Sequence, residues 1–456
     1  MVNRIVLRDG FVVTMDAELG DLPRADVLIE DDKIAAVGPD LDVGDAEVVS
    51  AESSIVIPGF IDTHRHTWET AIRGSAPDAT LGDYFVEILD TFAPHYRAED
   101  VYNSNLAGAL ECLNAGITTL VDWSHINNTP DHPDAAVTAL KEAGIRAQYA
   151  YGSANTSLND YWNQSTIAVP AEDVRRIRDT YFSSDDVLLT MALATRGPTY
   201  CVDDVVRSEW QLARDLDLPV TIHVAMASAG KFGMVKHLSD LDLLFPGTTY
   251  IHSCYLTDDE WRMVADSGGT VSIAPLVEME MGHGWPPTGR CIEEGIRPSL
   301  SIDVVTTSPG DLFTAMRAAF ACERARVNAT LWEEDLPTPE SMLTARRMLE
   351  MATIDGAHVA GVADRTGTLT PGKQADIVVI DGTAINMAPL FDPAAAVVLC
   401  ADVSNVRDVI VGGSVKKRDH KLVADTAAAV RGVDASRDYL VSHVARQPRW
   451  TAVPKR

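Results

Sequence analysis

Residues 58–303 alternate between short apolar runs, which predict strands, and longer amphipathic runs, which predict helices. Strands are predicted at 60–66, 117–122, 145–151, 185–194, 220–224, 248–252, 270–274 and 297–302, and helices at 98–115, 134–143, 205–216 and 258–266. Strands that alternate with helices form a parallel sheet, and about 250 residues of this pattern close most simply into a barrel. We therefore predict an α/β chain with a (β/α)8 TIM-like barrel over residues 58–366.

The two ends of the chain follow a different pattern, in which short alternating strands predominate. Strands are predicted at 4–7, 11–15, 26–30, 33–37, 376–380 and 406–411, with Gly412-Gly413 as a hairpin turn. A short segment made of strands alone leaves its edges exposed and buries little apolar surface. We therefore expect residues 1–57 and 367–456 to form one small β-sandwich domain, with a helix at 427–443 packed outside it.

Two histidines stand two residues apart in the first predicted barrel strand. Side chains two apart on a strand point to the same side, so His64 and His66 present two imidazoles to one point. His223, His252 and Asp303 end later apolar strands, and the carboxyl ends of barrel strands form the face that carries the chemistry. Each residue alone is more often structural than a ligand, but together they predict a metal site.

The chain resembles the amidohydrolase superfamily over nearly its whole length. The matching stretches are residues 58–66 (PGFIDTHRH), 116–122 (GITTLVD), 223–225 (HVA), 251–252 (IH), 301–303 (SID) and 369–375 (LTPGKQA). The resemblance implies that His64, His66, His223 and Asp303 bind one divalent metal ion, and that His252 hydrogen-bonds the metal-bound water or the substrate oxygen. A cation held by three imidazoles and a carboxylate lowers the pKa of a bound water to about 7, and Asp303 is suited to accept its proton.

Two departures from the family pattern narrow the prediction. Residues 187–195 contain no lysine, whereas members with two metals use a carboxylated lysine there. We therefore expect one metal ion, zinc in the first place, with cobalt, manganese and iron as alternatives. Ring deaminases of the superfamily usually have His-x-x-Glu after the fifth strand, but this chain has Met226 in place of the glutamate. Either another group protonates the leaving group, or the leaving group departs with little need for protonation.

Three residues after the seventh strand are candidates for that acid: Glu278, Glu280 and His283. We favour His283, because flanking glycines let it approach a ligand; the alternative for all three is a solvated loop. Arg196 ends the fourth strand, where it either holds a substrate carbonyl or pairs with a neighbouring acid. The candidate catalytic residues are thus His252, Asp303 and His283, and the candidate substrate-binding residues are Arg196, His125, Trp68 and Glu278. For Trp68 and Trp123 the alternative of packing at the barrel rim is favoured.

Composition limits the partners and the compartment. Lys and Arg total 38 against 66 Asp and Glu, a net charge of -28, which disfavours nucleic acids and anionic membranes as partners. No apolar run reaches about 18 residues, so no membrane span is expected. Six scattered cysteines and the absence of a signal-peptide pattern predict free thiols in a reducing compartment. We expect a cytoplasmic homo-oligomer that binds a small-molecule substrate.

The leading interpretation is a mononuclear metal-dependent hydrolase that cleaves a non-peptide carbon–nitrogen bond, in an amide, urea, carbamate or thiocarbamate, of a small neutral molecule. Residues 63–68 and 281–285 look most like phenylurea and thiocarbamate hydrolases. The alternative is an aminohydrolase that deaminates a heterocycle such as a triazine, pyrimidine or purine with a substitute acid. A non-catalytic binding protein ranks last, because all five expected site residues are present.

Overall fold

The structure is a computed structural model that describes residues 3–184, 187–339 and 342–444. Five strands precede the barrel: β1 (Arg4–Val13), β2 (Asp21–Glu30), β3 (Lys33–Gly38), β4 (Glu47–Ser50) and β5 (Ser54–Pro58). β1 is a single strand where the sequence predicted two. Asp9 adopts a φ of 63°, and the register with β2 shifts between Leu7 and Gly10, so the chain bulges there without leaving the sheet.

Eight parallel strands form the barrel, and each pairs with the next along the chain. They are β6 (Phe60–Arg65), β7 (Ile117–Ser124), β8 (Arg146–Tyr151), β9 (Leu189–Thr195), β10 (Val220–Val224), β11 (Thr248–His252), β12 (Thr270–Ile273) and β13 (Pro298–Leu300). The predicted strand at 185–194 thus begins later, at Leu189, and residues 185–186 lie outside the described residues. The ring closes where the Asp303 N–H donates to the His64 carbonyl (2.9 Å) and the His66 N–H donates to the Asp303 carbonyl (2.8 Å).

Helices occupy the connections between the barrel strands. In the described ranges the α-helices are α1 (Leu81–Tyr84), α2 (Ala98–Asn114), α3 (Asp131–Ala143), α4 (Leu158–Trp162), α5 (Ala171–Tyr181), α6 (Asp203–Asp215), α7 (Met234–Asp240), α8 (Asp258–Asp266), α9 (Pro275–Glu280), α10 (Thr288–Glu293), α11 (Leu312–Glu333), α12 (Ala345–Met351), α13 (Ile354–Val359), α14 (Pro393–Leu399) and α15 (Thr426–His443). Shorter 3-10 turns cover Thr67–Ile72, Ala93–His95, Ala227–Phe232 and Val403–Asn405, and a π-helical turn covers Phe85–Asp90.

Local sequence explains where several of these elements begin and end. Gly144 ends α3 in the left-handed region, at a φ of 65°. A capping box between Thr257 and Glu260 begins α8. At the entry to β6, a Cβ atom on Gly59 would lie 2.0 Å from Thr118 Oγ1, so only glycine lets the first two barrel strands approach this closely.

After the barrel the chain returns to the N-terminal sheet. It adds β14 (Ile377–Asp381), β15 (Val406–Val411), β16 (Ser414–Arg418) and β17 (Lys421–Leu422), and β14 pairs antiparallel with β5. The strands form one connected sheet in the order β17-β16-β15-β14-β5-β1-β2-β3, with β4 on β1. Side chains from both ends of the chain, among them Ile5, Val56 and Ile377, share a core. The predicted turn at Gly412-Gly413 joins β15 to β16.

Buried polar contacts join this β domain to the barrel. Arg146 of β8 donates two hydrogen bonds, of 2.6 and 3.0 Å, to the carboxylate of Asp376. α15 packs on α2, where Asn103 Nδ2 lies 3.1 Å from Ser436 Oγ. The structure thus confirms a TIM-like barrel with a β domain built from both termini. Residues 1–2 and 445–456 of the predicted β domain lie outside the described residues. Within the described ranges, no helix has the length and apolarity needed to cross a membrane.

Candidate active site

The five residues predicted at strand ends converge on one point at the carboxyl end of the barrel. His64 Nε2 lies 3.1 Å from Asp303 Oδ1 and 3.2 Å from His223 Nε2. His66 Nε2 lies 3.3 Å from Asp303 Oδ1, and His252 Nε2 lies 3.6 Å from Asp303 Oδ2. Barrel closure produces this meeting, because it brings the first and the last of the strands side by side.

These separations fit a single metal ion. Two nitrogens bound to one tetrahedral zinc ion lie about 3.3 Å apart, close to the 3.2 Å between His64 and His223. Donor atoms of His64, His223, His252 and Asp303 all lie within 4.8 Å of one another. The resemblance implied His66 in the ligand set and His252 beside it, and the structure brings both imidazoles to the same carboxylate. Three or more nitrogens and a carboxylate at one point form a donor set suited to zinc and similar divalent ions.

Hydrogen bonds orient the two imidazoles on either side of this centre. His66 Nδ1 donates to the Trp123 carbonyl oxygen at 2.9 Å, so its Nε2 carries the lone pair and faces Asp303. His252 Nδ1 lies 3.2 Å from Glu278 Oε1, which leaves Nε2 of His252 toward the same carboxylate. In both rings Nδ1 has a hydrogen-bond partner, and Nε2 is available to bind a ligand.

The sequence left Glu278 either facing the substrate or in a solvated loop, and the structure shows a third position. Glu278 is fully buried on α9, where it accepts a hydrogen bond from the Ala274 N–H at 2.9 Å as well as contacting His252. It is therefore neither a solvated loop residue nor part of the cavity wall. Glu280, one half-turn further along the helix, is exposed to solvent. Glu278 contacts the predicted site residues through His252.

Burial and neighbouring charges set the protonation states of the centre. Burial lowers the pKa of His66 and His223 well below its ordinary value, and neighbouring imidazoles lower it further. Burial also lowers the pKa of His64, against the opposing pull of Asp303. Burial by itself raises the pKa of Asp303, but the surrounding imidazoles, His64 above all, hold it below its ordinary value. Neutral imidazoles beside an ionised carboxylate are the protonation states that metal binding requires.

Two of the site residues adopt backbone conformations that side chains usually avoid. His252 has a φ of 69° and Asp303 a φ of 66°, both in the left-handed region. Such a conformation costs about 1–3 kcal/mol per residue and persists only where the surroundings enforce it. The closing hydrogen bonds between Asp303 and β6 supply that constraint on one side of the site, and the Ser253 N–H donates to the Val224 carbonyl at 3.1 Å on the other.

A cavity of ≈ 400 Å³ leads from these residues toward the surface. Its inner end is polar and its outer walls are apolar. The inner end is lined by His66, His125, His223, His252, His283 and Asp303, and the walls by Leu81, Tyr84, Phe85, Leu89, Trp162, Met226, Met281 and Val304. Apolar walls around a polar inner end fit a small, largely apolar molecule.

A family model matches residues 55–416, a span that contains all five site residues and most of the chain. The chain belongs to the amidohydrolase family. It is accordingly a metal-dependent hydrolase that acts on carbon–nitrogen bonds. The closer likeness to phenylurea and thiocarbamate hydrolases stays a prediction.

Relatives of this amidohydrolase include two deaminases that match it over nearly the full length. The 5'-deoxyadenosine deaminase of Methanosarcina mazei is 27% identical over 450 residues, which cover 96% of this chain and 99% of that protein. The 5-methylthioadenosine/S-adenosylhomocysteine deaminase of Pyrococcus abyssi is 27% identical, over 93% of this chain and 96% of that protein.

Solved structures agree with the fold of the amidohydrolase chain. An adenosine deaminase from Xanthomonas campestris with bound zinc superposes with a TM-score of 0.82 at 24% identity, covering 96% of this chain and 98% of that one. Atrazine chlorohydrolase from Arthrobacter aurescens TC1, complexed with zinc, gives a TM-score of 0.83 at 24% identity, covering 95% and 100% of the two chains.

His125, predicted to bind the substrate, and His283, predicted to act in catalysis, both line the cavity of this amidohydrolase. His283 is buried beside His252, with ring centroids 4.5 Å apart, and neither of its ring nitrogens has a hydrogen-bond partner in the described part of the chain. Burial lowers the pKa of His283 to about 3 and that of His125 to about 3. Both rings are therefore neutral at pH 7, and both line the cavity.

Two other predicted substrate contacts have buried protein partners and do not line the cavity. Trp68 does not line the cavity; it is fully buried, and its Nε1 donates to His125 Nδ1 at 3.4 Å. Arg196 is also absent from the cavity wall. Its Nη2 lies 3.3 Å from Glu209 Oε1, and its Nη1 donates to the Tyr161 carbonyl at 2.7 Å. A guanidinium group can be buried only with such partners, so the salt-bridge alternative describes Arg196.

Sequence reasoning left out the segment that forms one cavity wall. Leu81, Tyr84, Phe85 and Leu89 all line the cavity, and the Phe85 ring meets Trp162 edge-on at a centroid distance of 5.5 Å. α1 and the π-helical turn after it carry this wall, and neither has a strong sequence pattern. Such π-turns are frequent at functional sites, but only the structure shows that this one folds over the barrel.

Proposed function

We propose that this amidohydrolase is an aminohydrolase, which uses water to remove ammonia or an amine from a ring carbon of a small nitrogen heterocycle. The full-length similarity to deaminases of 5'-deoxyadenosine and of 5-methylthioadenosine and S-adenosylhomocysteine is the observation that carries the proposal. This similarity reverses the order in which the sequence ranked the two candidate functions. The deaminase alternative now stands ahead of amide, urea and carbamate hydrolysis.

The cavity supports a planar heterocyclic substrate. Phe85 and Trp162 form aromatic walls on which a flat ring can stack. His283 is a neutral imidazole that can donate one hydrogen bond to the substrate and accept another, whereas neutral His125, whose Nδ1 accepts from Trp68, has Nε2 left to donate. The net charge of -28 further favours neutral or cationic molecules over anionic ones.

We further propose that one divalent ion, zinc in the first place, is held by His64, His66, His223 and Asp303, with His252 adjacent. The donor separations described above fit this assignment. When bound, such an ion acidifies a water molecule and polarises the carbon–nitrogen bond that the water attacks. The substrate must then be held over the inner end of the cavity, where the polar side chains converge.

Side chains of the site accept the proton, orient His252 and hold the substrate. The Asp303 carboxylate is ionised and accepts a proton from the attacking water. Glu278 keeps the Nδ1 proton of His252 in place, so that Nε2 of His252 faces the reacting carbon and exchanges hydrogen bonds with the entering oxygen. His283 holds a ring nitrogen of the substrate without carrying charge.

Hydrolysis of a urea, carbamate or amide is the second candidate function, and Met226 favours it. Met226 lies in the cavity wall, where the resemblance places the proton-carrying glutamate of ring deaminases. A thioether cannot carry a proton. A substrate whose leaving group needs little protonation would tolerate this replacement.

A substrate screen with the metal-loaded protein separates the two functions. Amino- and alkylamino-triazines, pyrimidines and purines form one panel, and phenylureas and carbamates the other, with ammonia and amine release measured. We expect turnover in the heterocycle panel and its loss in Asp303→Asn, with metal content checked in both proteins. Turnover confined to ureas or carbamates would establish the second candidate, and turnover that survives Asp303→Asn would contradict the proposed chemistry.

A further inference from the structure

The outer walls of the active-site cavity are built from side chains of five separate segments. The wall residues are Leu81, Tyr84, Phe85 and Leu89 of α1 and the π-helical turn, Trp162 of α4, Met226 after β10, Met281 after α9 and Val304 after β13. The rings of Phe85 and Trp162 both pack against Tyr200, at centroid distances of 6.1 and 5.1 Å. Tyr200 does not line the cavity, so this aromatic part of the wall is supported from the protein side.

The polar atoms on these side chains are directed at partners in the protein. The Tyr84 hydroxyl group donates to Glu69 Oε1 at 2.6 Å, and Trp162 Nε1 donates to Asn155 Oδ1 at 3.2 Å. Glu69 and Asn155 are both fully buried. The two methionines of the wall add only thioethers, which are weak acceptors and donate no hydrogen bond. Within the described ranges, the wall therefore offers no side-chain donor to a bound molecule.

The wall also lacks charge. Among the lining residues in the described part of the chain, none is Lys, Arg or Glu, and the one carboxylate, Asp303, belongs to the inner end. One main-chain acceptor of the wall is occupied as well, because the Leu81 N–H donates to the Met281 carbonyl oxygen at 3.0 Å. This bond joins α1 to the end of α9, so two sides of the wall are held together. A substituent that lies between them contacts apolar groups.

Burial against such a wall favours apolar groups and penalises polar ones. An alkyl or aryl group gains free energy when its surface is removed from water. A hydroxyl group that is buried without a partner loses the hydrogen bonds that it made to water, and a charged group loses more. Because the polar side chains converge at the inner end of the cavity, the reacting ring must lie there. Any substituent on that ring then meets the wall.

We propose that this cavity selects heterocycles whose ring carries an apolar alkyl or aryl substituent, and that it discriminates against nucleosides. This inference rests on the aminohydrolase function proposed above, and it names the substrate class of the same site. It separates the chain from its relatives that are named as deaminases of 5'-deoxyadenosine and of S-adenosylhomocysteine. Ribose would bring hydroxyl groups to the wall, and the amino acid group of S-adenosylhomocysteine would bring a carboxylate and an ammonium group.

Substrate pairs that share one ring and one leaving amine test the wall in the metal-loaded enzyme. 9-Cyclopentyladenine is compared with adenosine and with 5'-deoxyadenosine, and an ethylamino-substituted aminotriazine is compared with its 2-hydroxyethylamino analogue. We expect kcat/KM to be lower for the hydroxylated member by about 10- to 100-fold for each hydroxyl group that is left without a partner. Equal or higher kcat/KM for the hydroxylated members would overturn the proposed selectivity.

Met281→Gln assigns the selectivity to the wall, because it places an amide of nearly the same length where the thioether was. We expect the preference for the alkyl member of each pair to fall by about fivefold or more, since the amide can bind a hydroxyl group. Leu81→Gln repeats the test at a half-buried wall position. Met279→Gln is the control, because Met279 lies on α9 but is exposed and does not line the cavity. Unchanged preferences in both wall variants would remove these residues from substrate selection and overturn the inference.

Binding measurements distinguish failure of the proposed selectivity from failure of the proposed function. If no member of any pair is turned over, the aminohydrolase function fails. The dissociation constants of the same compounds, measured by calorimetry with the metal-loaded enzyme, still test the wall. Binding of the alkyl members that is about tenfold tighter or more would support the selectivity. Equal binding of both members, tighter binding of the hydroxylated members or no binding of either would overturn it.

Discussion

At the scale of single residues, the chemistry of His252 depends on a carboxylate that the substrate never meets. Glu278 is 3.2 Å from Nδ1 of His252 and receives the Ala274 N–H, so its position is determined by the start of α9. A carboxylate partner fixes the tautomer and the orientation of an imidazole. Burial raises the pKa of Glu278, and the hydrogen bond to His252 acts against that shift.

We expect Glu278→Gln to lower kcat by about 10- to 100-fold, because partners behind a site imidazole usually contribute that much. The amide preserves the shape but removes the negative charge that holds the Nδ1 proton of His252 in place. Steady-state kinetics with metal analysis measure the effect. Glu280→Gln is the control on the same helix, since Glu280 is exposed. Equal kinetics of the two variants would remove Glu278 from the mechanism.

His283 is predicted to contact the substrate and not the metal. Its ring nitrogens have no partner in the described ranges, and it lies beside His252 in the cavity. His283→Asn keeps some hydrogen-bonding capacity but changes its geometry, so we expect a higher KM and a lower kcat with metal content unchanged. Loss of metal in this variant would instead make His283 a ligand, and unchanged kinetics would exclude it from the site.

At the scale of elements, Arg196 ties the end of β9 to its neighbours. Its guanidinium group contacts Glu209 on α6, the Ser165 hydroxyl at 3.1 Å and the carbonyls of Tyr161 and Ile167. Glu209 also accepts the Val169 N–H at 3.1 Å. One buried cation thus holds the connection between β8 and β9 against the following helix, close to Trp162 of the cavity wall.

Arg196→Met should destabilise the fold by about 3–5 kcal/mol, because it leaves the Glu209 carboxylate buried without its cation. Denaturant unfolding measures this loss. Adding Glu209→Leu should recover part of the stability, since a buried pair replaced by apolar groups is tolerated better than a broken one. A single variant as stable as the parent, but with a raised KM, would return Arg196 to the substrate-binding set.

At the scale of the whole molecule, the carboxyl end of the barrel buries neutral imidazoles that would be protonated in the unfolded chain at acidic pH. His125 and His283 have pKa values lowered to about 3 by burial. The unfolded chain binds protons on histidines below about pH 6.5, so it binds more protons than the folded chain between about pH 6.5 and pH 3. These groups therefore make the folded state less stable as the pH falls through that window.

We expect the unfolding free energy of His283→Asn to fall less steeply with acid than that of the parent, by about 1.4 kcal/mol per pH unit between about pH 6 and pH 4. Metal-free protein should be used for both, so that acid release of the metal does not contribute. His358→Asn, an exposed histidine on α13, is the control. Parallel profiles for parent and His283→Asn would contradict a buried neutral imidazole.

The periodicity of apolar residues and the positions of strand ends were sufficient to predict the architecture and the centre of the site. Strand–helix alternation predicts the barrel because each element must bury one face against its neighbours. His64, His66, His223, His252 and Asp303 were found because each ends an apolar strand, and all such ends share one face of a barrel. The bulge at Asp9 was missed because a single left-handed residue resembles a turn in sequence.

Only the tertiary structure decided which side chains face the substrate. Arg196 and Glu278 follow barrel strands as site residues do. Yet the Arg196 side chain pairs with buried Glu209, and the Glu278 side chain contacts buried His252. Tyr84 belongs to a short helix without a clear pattern, and it reaches the cavity because the segment folds over the barrel. Position along a strand follows from local periodicity, whereas the direction of a polar side chain depends on long-range partners that satisfy its charge.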